Sequence, residues 1–160
     1  MPARILFINP QALNRPPTYT QVVEVTGPRR TIYISGQLGT SPDGKLVSGD
    51  FRAQAEQVFK NLRTALASVG ASFADIVKLN SYLRDIDDLH ILREVRASYL
   101  NPAALPASTT LEVSGFARPD ALLEIEAVAV LPLRAAPARR SGAQPAAPAR
   151  KVKAARRKAK

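Results

Sequence analysis

"DFRAQAEQVFKNLRTALASVGASFADIVKLNSYLRD", residues 50–85, carries two different hydrophobic periods in succession, and they decide the fold class. Phe51, Ala55, Val58, Phe59, Leu62, Leu66 and Val69 recur at helical spacing, which predicts an amphipathic helix with one face on a core. Asp50 stands where an N-terminal cap belongs, and Gly70 where such a helix stops. "SFAD" reads as a short capped turn. Beyond it Val77, Leu79, Ser81 and Leu83 alternate with Lys78, Asn80 and Tyr82, the period of a strand.

Upstream of this unit, "RILFIN" (4–9) reads as a first strand, and "QALNRPP" as a loop broken by Pro16 and Pro17. "YTQVVEV" and "TIYIS" are two β-rich runs joined through "TGPRR", which predicts a hairpin. "SPDG" is a turn. Downstream, Asp87 or Asp88 is placed to cap a second helix to about Leu100, with Leu89, Leu92, Val95 and Tyr99 inward. "NPAALP" ends it, and two strands follow at 109–114 and 122–131. The order βββ-αβ-αββ predicts an α+β domain: a mixed six-stranded sheet with both helices on one face. In the last strand Ile125, Ala127 and Ala129 point one way and Val128 and Val130 the other. Two helices cover one face only, so the other is expected to pack on a sister chain, with sites at the seams.

The chain has 160 residues, a length suited to one domain plus an appendage. Residues 134–160 contain ten Lys/Arg and no Asp/Glu, so the remaining 133 residues carry 13 basic and 13 acidic side chains. The whole net charge of +10 therefore belongs to the tail. That tail has hardly a large apolar residue and is expected to be disordered, with the domain at 1–133. The longest apolar run, "AVAVLPL", is far short of the roughly 20 residues that span a bilayer. No charged segment followed by an apolar one opens the chain, so neither a secretory signal nor a membrane partner is expected, and the reading is cytoplasmic. Without cysteine there is no disulfide and no thiolate chemistry.

His90 is the only histidine. Alone in a helix it reads as a solvated residue, not a metal ligand or part of a Ser-His-Asp set. No glycine-rich phosphate loop is present, and no cofactor is expected. Two strand segments do carry chemistry. "LPASTTLEV" (105–113) lines up the hydroxyls of Ser108, Thr109 and Thr110. "LLEIEAVAV" (122–130) places Glu124 and Glu126 on one strand face. A carboxylate beside hydroxyls suits acid/base work, yet no cation stands in either motif.

Taken together, S-G-Q at Ser35–Gln37, the Q…N-L helix, D-I-V-K at Asp75–Lys78, P-A-S-T at Pro106–Thr109 and E-I-E-A at Glu124–Ala127 resemble the Rid family. These are the reactive intermediate deaminases, also called YjgF-like proteins, and the resemblance covers roughly residues 5–132. It implies a homotrimer of chorismate-mutase-like fold with three clefts between subunits. Active members hydrolyse small enamines and imines, such as 2-aminoacrylate and its imino tautomer, to 2-keto acids and ammonia.

By that resemblance Glu124 is the carboxylate that orients water, and Tyr19 closes the cleft from the adjacent chain. Ser35 and Gly36 are the pair whose backbone approaches the ligand. Active members read P-A-R-S, and the arginine grips the substrate carboxylate with two charged hydrogen bonds. Here that position is Ser108, followed by Thr109. Losing such a pair in a desolvated cleft costs about 2–5 kcal/mol of binding. Arg93, on the second helix, is the candidate to supply the missing charge, ahead of Arg15 and Arg118. The family is also labelled an L-PSP endoribonuclease. The domain has no histidine pair for RNA cleavage, but the basic tail can contact phosphates without reading sequence. Two readings stand: an enamine or imine deaminase (hydrolase) on a substrate lacking the usual carboxylate, and a non-catalytic ligand-binding or RNA-associated trimer tethered by its tail.

Overall fold

The computed structural model describes residues 4–47 and 49–133. The basic segment 134–160, expected to be disordered and to touch nucleic acid, lies outside the described residues. In chain order the elements are β1 (Arg4–Ile8), β2 (Val22–Thr26), β3 (Arg29–Gln37), α1 (Phe51–Ser68), β4 (Ile76–Leu83), α2 (Leu89–Ala97), β5 (Ala107–Glu112) and β6 (Leu123–Pro132). The predicted order is therefore the observed one.

The predicted single sheet is not. Its six strands form two sheets: an antiparallel pair β1-β2, and a four-stranded sheet ordered β3-β6-β4-β5. The expected hairpin between β2 and β3 is absent. Gly27, at φ 80°, and Pro28 carry the chain out of register, and proline has no N–H to give to a ladder. β2 pairs instead with β1, from Ile8↔Val22 to Arg4↔Thr26. In the larger sheet β4 and β5 run parallel across the α2 crossover, while β6 is antiparallel to both β3 and β4. Both helices lie on one face, as the sequence predicts.

α1 begins where Asp50 accepts the Ala53 N–H at 2.8 Å. It ends against Gly70, whose φ of 75° an L side chain rarely adopts. Its apolar stripe, Phe51, Ala55, Val58, Phe59, Leu62 and Leu66, is buried against Leu79, Leu83, Ile125, Ala127 and Ala129 of the sheet. Burying a side chain of this size contributes about 1.5–3 kcal/mol. Ser72 and Asp75 close the predicted short turn.

α2 departs from expectation at both ends. A single 3-10 turn, 86–88, precedes it and is capped by Asp85, which accepts the Asp87 N–H at 2.9 Å. Neither Asp87 nor Asp88 caps α2 with its side chain, and the helix closes at Ala97. Phe59 of α1 stacks on Tyr99 at 4.7 Å between ring centroids, and Phe73 sits 5.1 Å from the same ring. This aromatic trio fixes the C-terminal end of α2 against α1.

The face of the sheet away from the helices is more polar than the alternation in β6 suggests. Val130 is already buried within the chain. The open face presents Lys78, Asn80, Tyr82, Thr109, Glu124 and Glu126, with Val128, the exposed Leu111 and the 80%-exposed Tyr33 as its apolar parts.

Candidate active site

Two polar side chains of α1 control the loops on either side of Gly36 and Glu124. Gln54 is fully buried; its amide donates to the Asp120 carbonyl at 3.1 Å and its carbonyl accepts the Leu122 N–H at 3.0 Å. It thereby sets the start of β6, two residues before Glu124. One face further along, Asn61 donates to the carbonyls of Leu38 (2.9 Å) and Thr40 (2.8 Å) and holds the exit of β3, just past Ser35 and Gly36. The "Q…N-L" spacing is thus the means by which one helix positions two strands.

Between these anchors, the Glu124 carboxylate lies directly over Gly36. A Cβ built on Gly36 would stand 1.7 Å from Glu124 Oε1, so only glycine admits the carboxylate here. Glu124 is half-buried and has no hydrogen-bond partner among the described residues. Glu126, on the same face, is engaged. It accepts from Asn80 Nδ2 at 2.7 Å and from the Tyr82 hydroxyl at 3.2 Å. Burial, then the Glu126 charge, holds the Tyr82 phenol above its ordinary 10.0. The two carboxylates left equivalent by the sequence are therefore distinguished: Glu126 is engaged by two side chains, and Glu124 by none among the described residues. Beside them Tyr33, Ser35, Lys78, Asn80, Glu126 and Val128 line a recess of about 270 Å³ on the open face.

A second polar cluster lies on the other face, at the edge strand. Ser108 is paired with Leu79, and Thr110 with Ser81, so both hydroxyls point toward α2. With Thr18, Tyr19, Leu89, Arg93 and Arg96 they line a pocket of about 260 Å³. Thr20 ties the Tyr19 segment to the chain just before β5, donating to the Leu105 carbonyl at 2.6 Å. Thr109, expected beside Ser108, is not there. Successive strand residues face opposite ways, and Thr109 accepts from Lys78 Nζ at 2.6 Å on the open face. Thr110 takes its place.

Arg93 does reach the pocket, from an exposed position. The residue that sequence reasoning missed is Arg96, which is only 7% exposed. It donates through Nη1 to Ser108 Oγ at 3.3 Å and through Nη2 to the Thr18 carbonyl at 3.1 Å. The signal was available: Arg96 falls seven residues after Leu89 and four after Leu92, on the inward stripe of α2. Arg118 is committed elsewhere, to the Gly44 carbonyl at 2.5 Å, and Arg15 is exposed in its loop. His90 Nδ1 lies 2.7 Å from the Asp87 carbonyl oxygen, and no metal-binding cluster occurs among the described residues.

One chain thus separates the expected site residues into two groups on opposite faces of the sheet. Ser35, Gly36 and Glu124 form one; Tyr19, Arg93 and Ser108 form the other.

A family model described as endoribonuclease L-PSP matches residues 10–131. A RutC family protein of Pyrococcus abyssi is 35% identical over 112 residues, which is 69% of this chain and 84% of that protein. The 2-iminobutanoate/2-iminopropanoate deaminase of Mus musculus is 39% identical over 113 residues, 70% of this chain and 80% of the enzyme. Among solved structures, the Rid-family protein YyfB of Yersinia pestis, described as of unknown function, superposes with a TM-score of 0.70 at 34% identity. It covers 82% of this chain and 100% of its own. The matched residues contain both polar clusters and the α1 anchors between them, and the chain belongs to the Rid, or L-PSP, family.

Proposed function

We propose that the protein is a Rid-family deaminase that hydrolyses small imines, and the enamines in equilibrium with them, to carbonyl compounds and ammonia. The observation that carries this reading is the Glu124 carboxylate, unpartnered and seated over Gly36. Water adds to the electrophilic C=N carbon of the protonated imine while Glu124 accepts a water proton, giving a neutral carbinolamine. Glu124 returns that proton to the amine nitrogen, the C–N bond breaks, and ammonia leaves as the hydroxyl oxygen forms the carbonyl and gives up its own proton to solvent. A carboxylate with no competing hydrogen bond suits both proton movements.

The reading requires more than one chain. The half-sites occupy opposite faces of one sheet, so Glu124 of one protomer would meet the Arg96 and Ser108 pocket of another. A cyclic trimer makes every such seam equivalent. The serine at 108 favours a second reading, a trimer that binds ligand without turning it over.

Consumption of 2-iminopropanoate, generated in situ from an amino acid, tests the proposal. The protein should accelerate its conversion to pyruvate, and Glu124→Gln should lower kcat by about 10²–10⁴. No acceleration, with ligand binding retained, would put the non-catalytic reading in front.

A further inference from the structure

The described residues hold two ion pairs, Lys45–Asp43 and Arg52–Glu94, both exposed. The most buried cation belongs to neither. Arg96 sits inside the second half-site without a carboxylate, and its charged neighbour is another cation, Arg93, one turn earlier. Burial first, and then the Arg93 charge, draws the Arg96 pKa down. Neither removes the charge, since a guanidinium does not deprotonate in proteins. A buried cation without an anion is costly unless something supplies one.

The hydrogen-bond inventory points the same way. A guanidinium has five N–H donors. Two are used, by Ser108 and Thr18, and both acceptors are neutral. Because Ser108 accepts from Arg96, its own hydroxyl proton is free to donate elsewhere. Thr110 adds a hydroxyl two residues along the same strand face. The pocket therefore offers a converging set of donors and two positive charges, and no negative side chain lines it. Its positioning is firm: Arg96 bridges α2, the Thr18 segment and β5, and the Phe59–Tyr99 stack fixes the helix behind it.

We propose that Arg96, with the Ser108 hydroxyl as its second arm, is the carboxylate-binding group of this site, so that the substrates are 2-imino acids after all. The guanidinium comes from α2 and passes over the serine, in place of one projecting from the strand. Arg93, at the rim, adds attraction for the anion but does not hold it. The choice of substrate rests on the deaminase reading; the binding of a carboxylate does not.

The test is therefore made on binding as well as on turnover, with 2-oxobutanoate as the probe, by titration calorimetry on the full-length protein. The wild type should bind 2-oxobutanoate and ignore its methyl ester. Arg96→Met should weaken binding by about 100-fold or more while keeping or raising Tm, because an unpaired buried charge has been replaced by apolar volume. Arg93→Gln should weaken it by less than about tenfold, with most of its effect at low salt. Equal binding of acid and ester by the wild type would overturn the proposal without recourse to any variant. So would Arg96→Met binding as tightly as wild type, or turning over 2-iminopropanoate with unchanged KM. Tight, Arg96-dependent binding without any turnover would leave the carboxylate site standing and remove the deaminase reading.

Discussion

Replacing Gly36 by alanine puts a methyl group where the Glu124 carboxylate sits. Its Cβ would lie 1.7 Å from Oε1, 2.6 Å from Cδ and 2.8 Å from Cγ. Ordinary carbon contacts are about 3.5–4.0 Å, so the carboxylate must retreat by roughly 2 Å. The backbone raises no objection, because Gly36 is not among the glycines of positive φ. Nor is stability much at risk: Glu124 ends a flexible side chain, and leaving a preferred rotamer costs about 0.5–1.5 kcal/mol. Catalysis has no such tolerance, since a misplacement of about 1 Å can cost about 10²-fold. Gly36→Ala should thus lower kcat for 2-iminopropanoate about 100-fold or more, and Tm by only a few degrees. Gly39→Ala is the contrast. There the methyl meets Gln54 Cα at 2.8 Å and its carbonyl oxygen at 3.0 Å, helix backbone that cannot swing aside. Overpacking of that kind costs about 1–3 kcal/mol. Turnover assays and thermal melts on both variants check the reasoning. Wild-type kcat in Gly36→Ala, or a melt that falls further for Gly36→Ala than for Gly39→Ala, would refute it.

Gln54→Leu takes the Gln54 partner from the Leu122 N–H and the Asp120 carbonyl and should destabilise by about 1–3 kcal/mol, read from urea unfolding. Tyr82, held protonated by burial and then by Glu126, should ionise above its free value of 10.0 in an ultraviolet titration. Since its folded pKa is raised, the stability it contributes is complete below that free value and is lost as pH rises toward the folded one. Glu126→Gln should remove only part of the shift, because burial remains. Refolding Glu124→Gln and Arg96→Met chains together in equal amounts should restore about a quarter of wild-type activity. In a cyclic trimer each mixed ring keeps one site with both halves intact; no recovery would argue that each chain builds its own site. Truncation after Leu133 should abolish any RNA binding together with its salt dependence, and undiminished binding would acquit the ten basic residues of the tail.

The local elements were readable because each is set by a period or a cap. The stripe from Phe51 to Leu66, the Asp50 cap, the Gly70 stop and the alternation in β4 all appear where the residues put them. Ladder partners were less readable, because they depend on residues far apart. Nothing local to 22–26 says that it pairs with β1 across a loop and not with β3 across Pro28. In the site, the carboxylate and its glycine were legible as motifs, whereas their contact was not. Thr109 was misplaced by one residue of strand phase. Arg96 was hidden by an assumption: Leu89, Leu92, Val95 and Tyr99 define an inward stripe, and a charge on that stripe is easily read as solvated. Its burial is what tertiary packing adds.

The division of the site between two faces of one sheet has a bearing on how much of the protein is working at any moment. A solitary chain would hold a base with nothing to act on and a cation with nothing to hold. Specific activity would then depend on protein concentration, falling on dilution past the dissociation of the oligomer and returning when the solution is concentrated. A chain altered in one half would spoil a single site, in proportion to its share of the population, whereas a copy defective in both halves would spoil two and be felt at about twice that share.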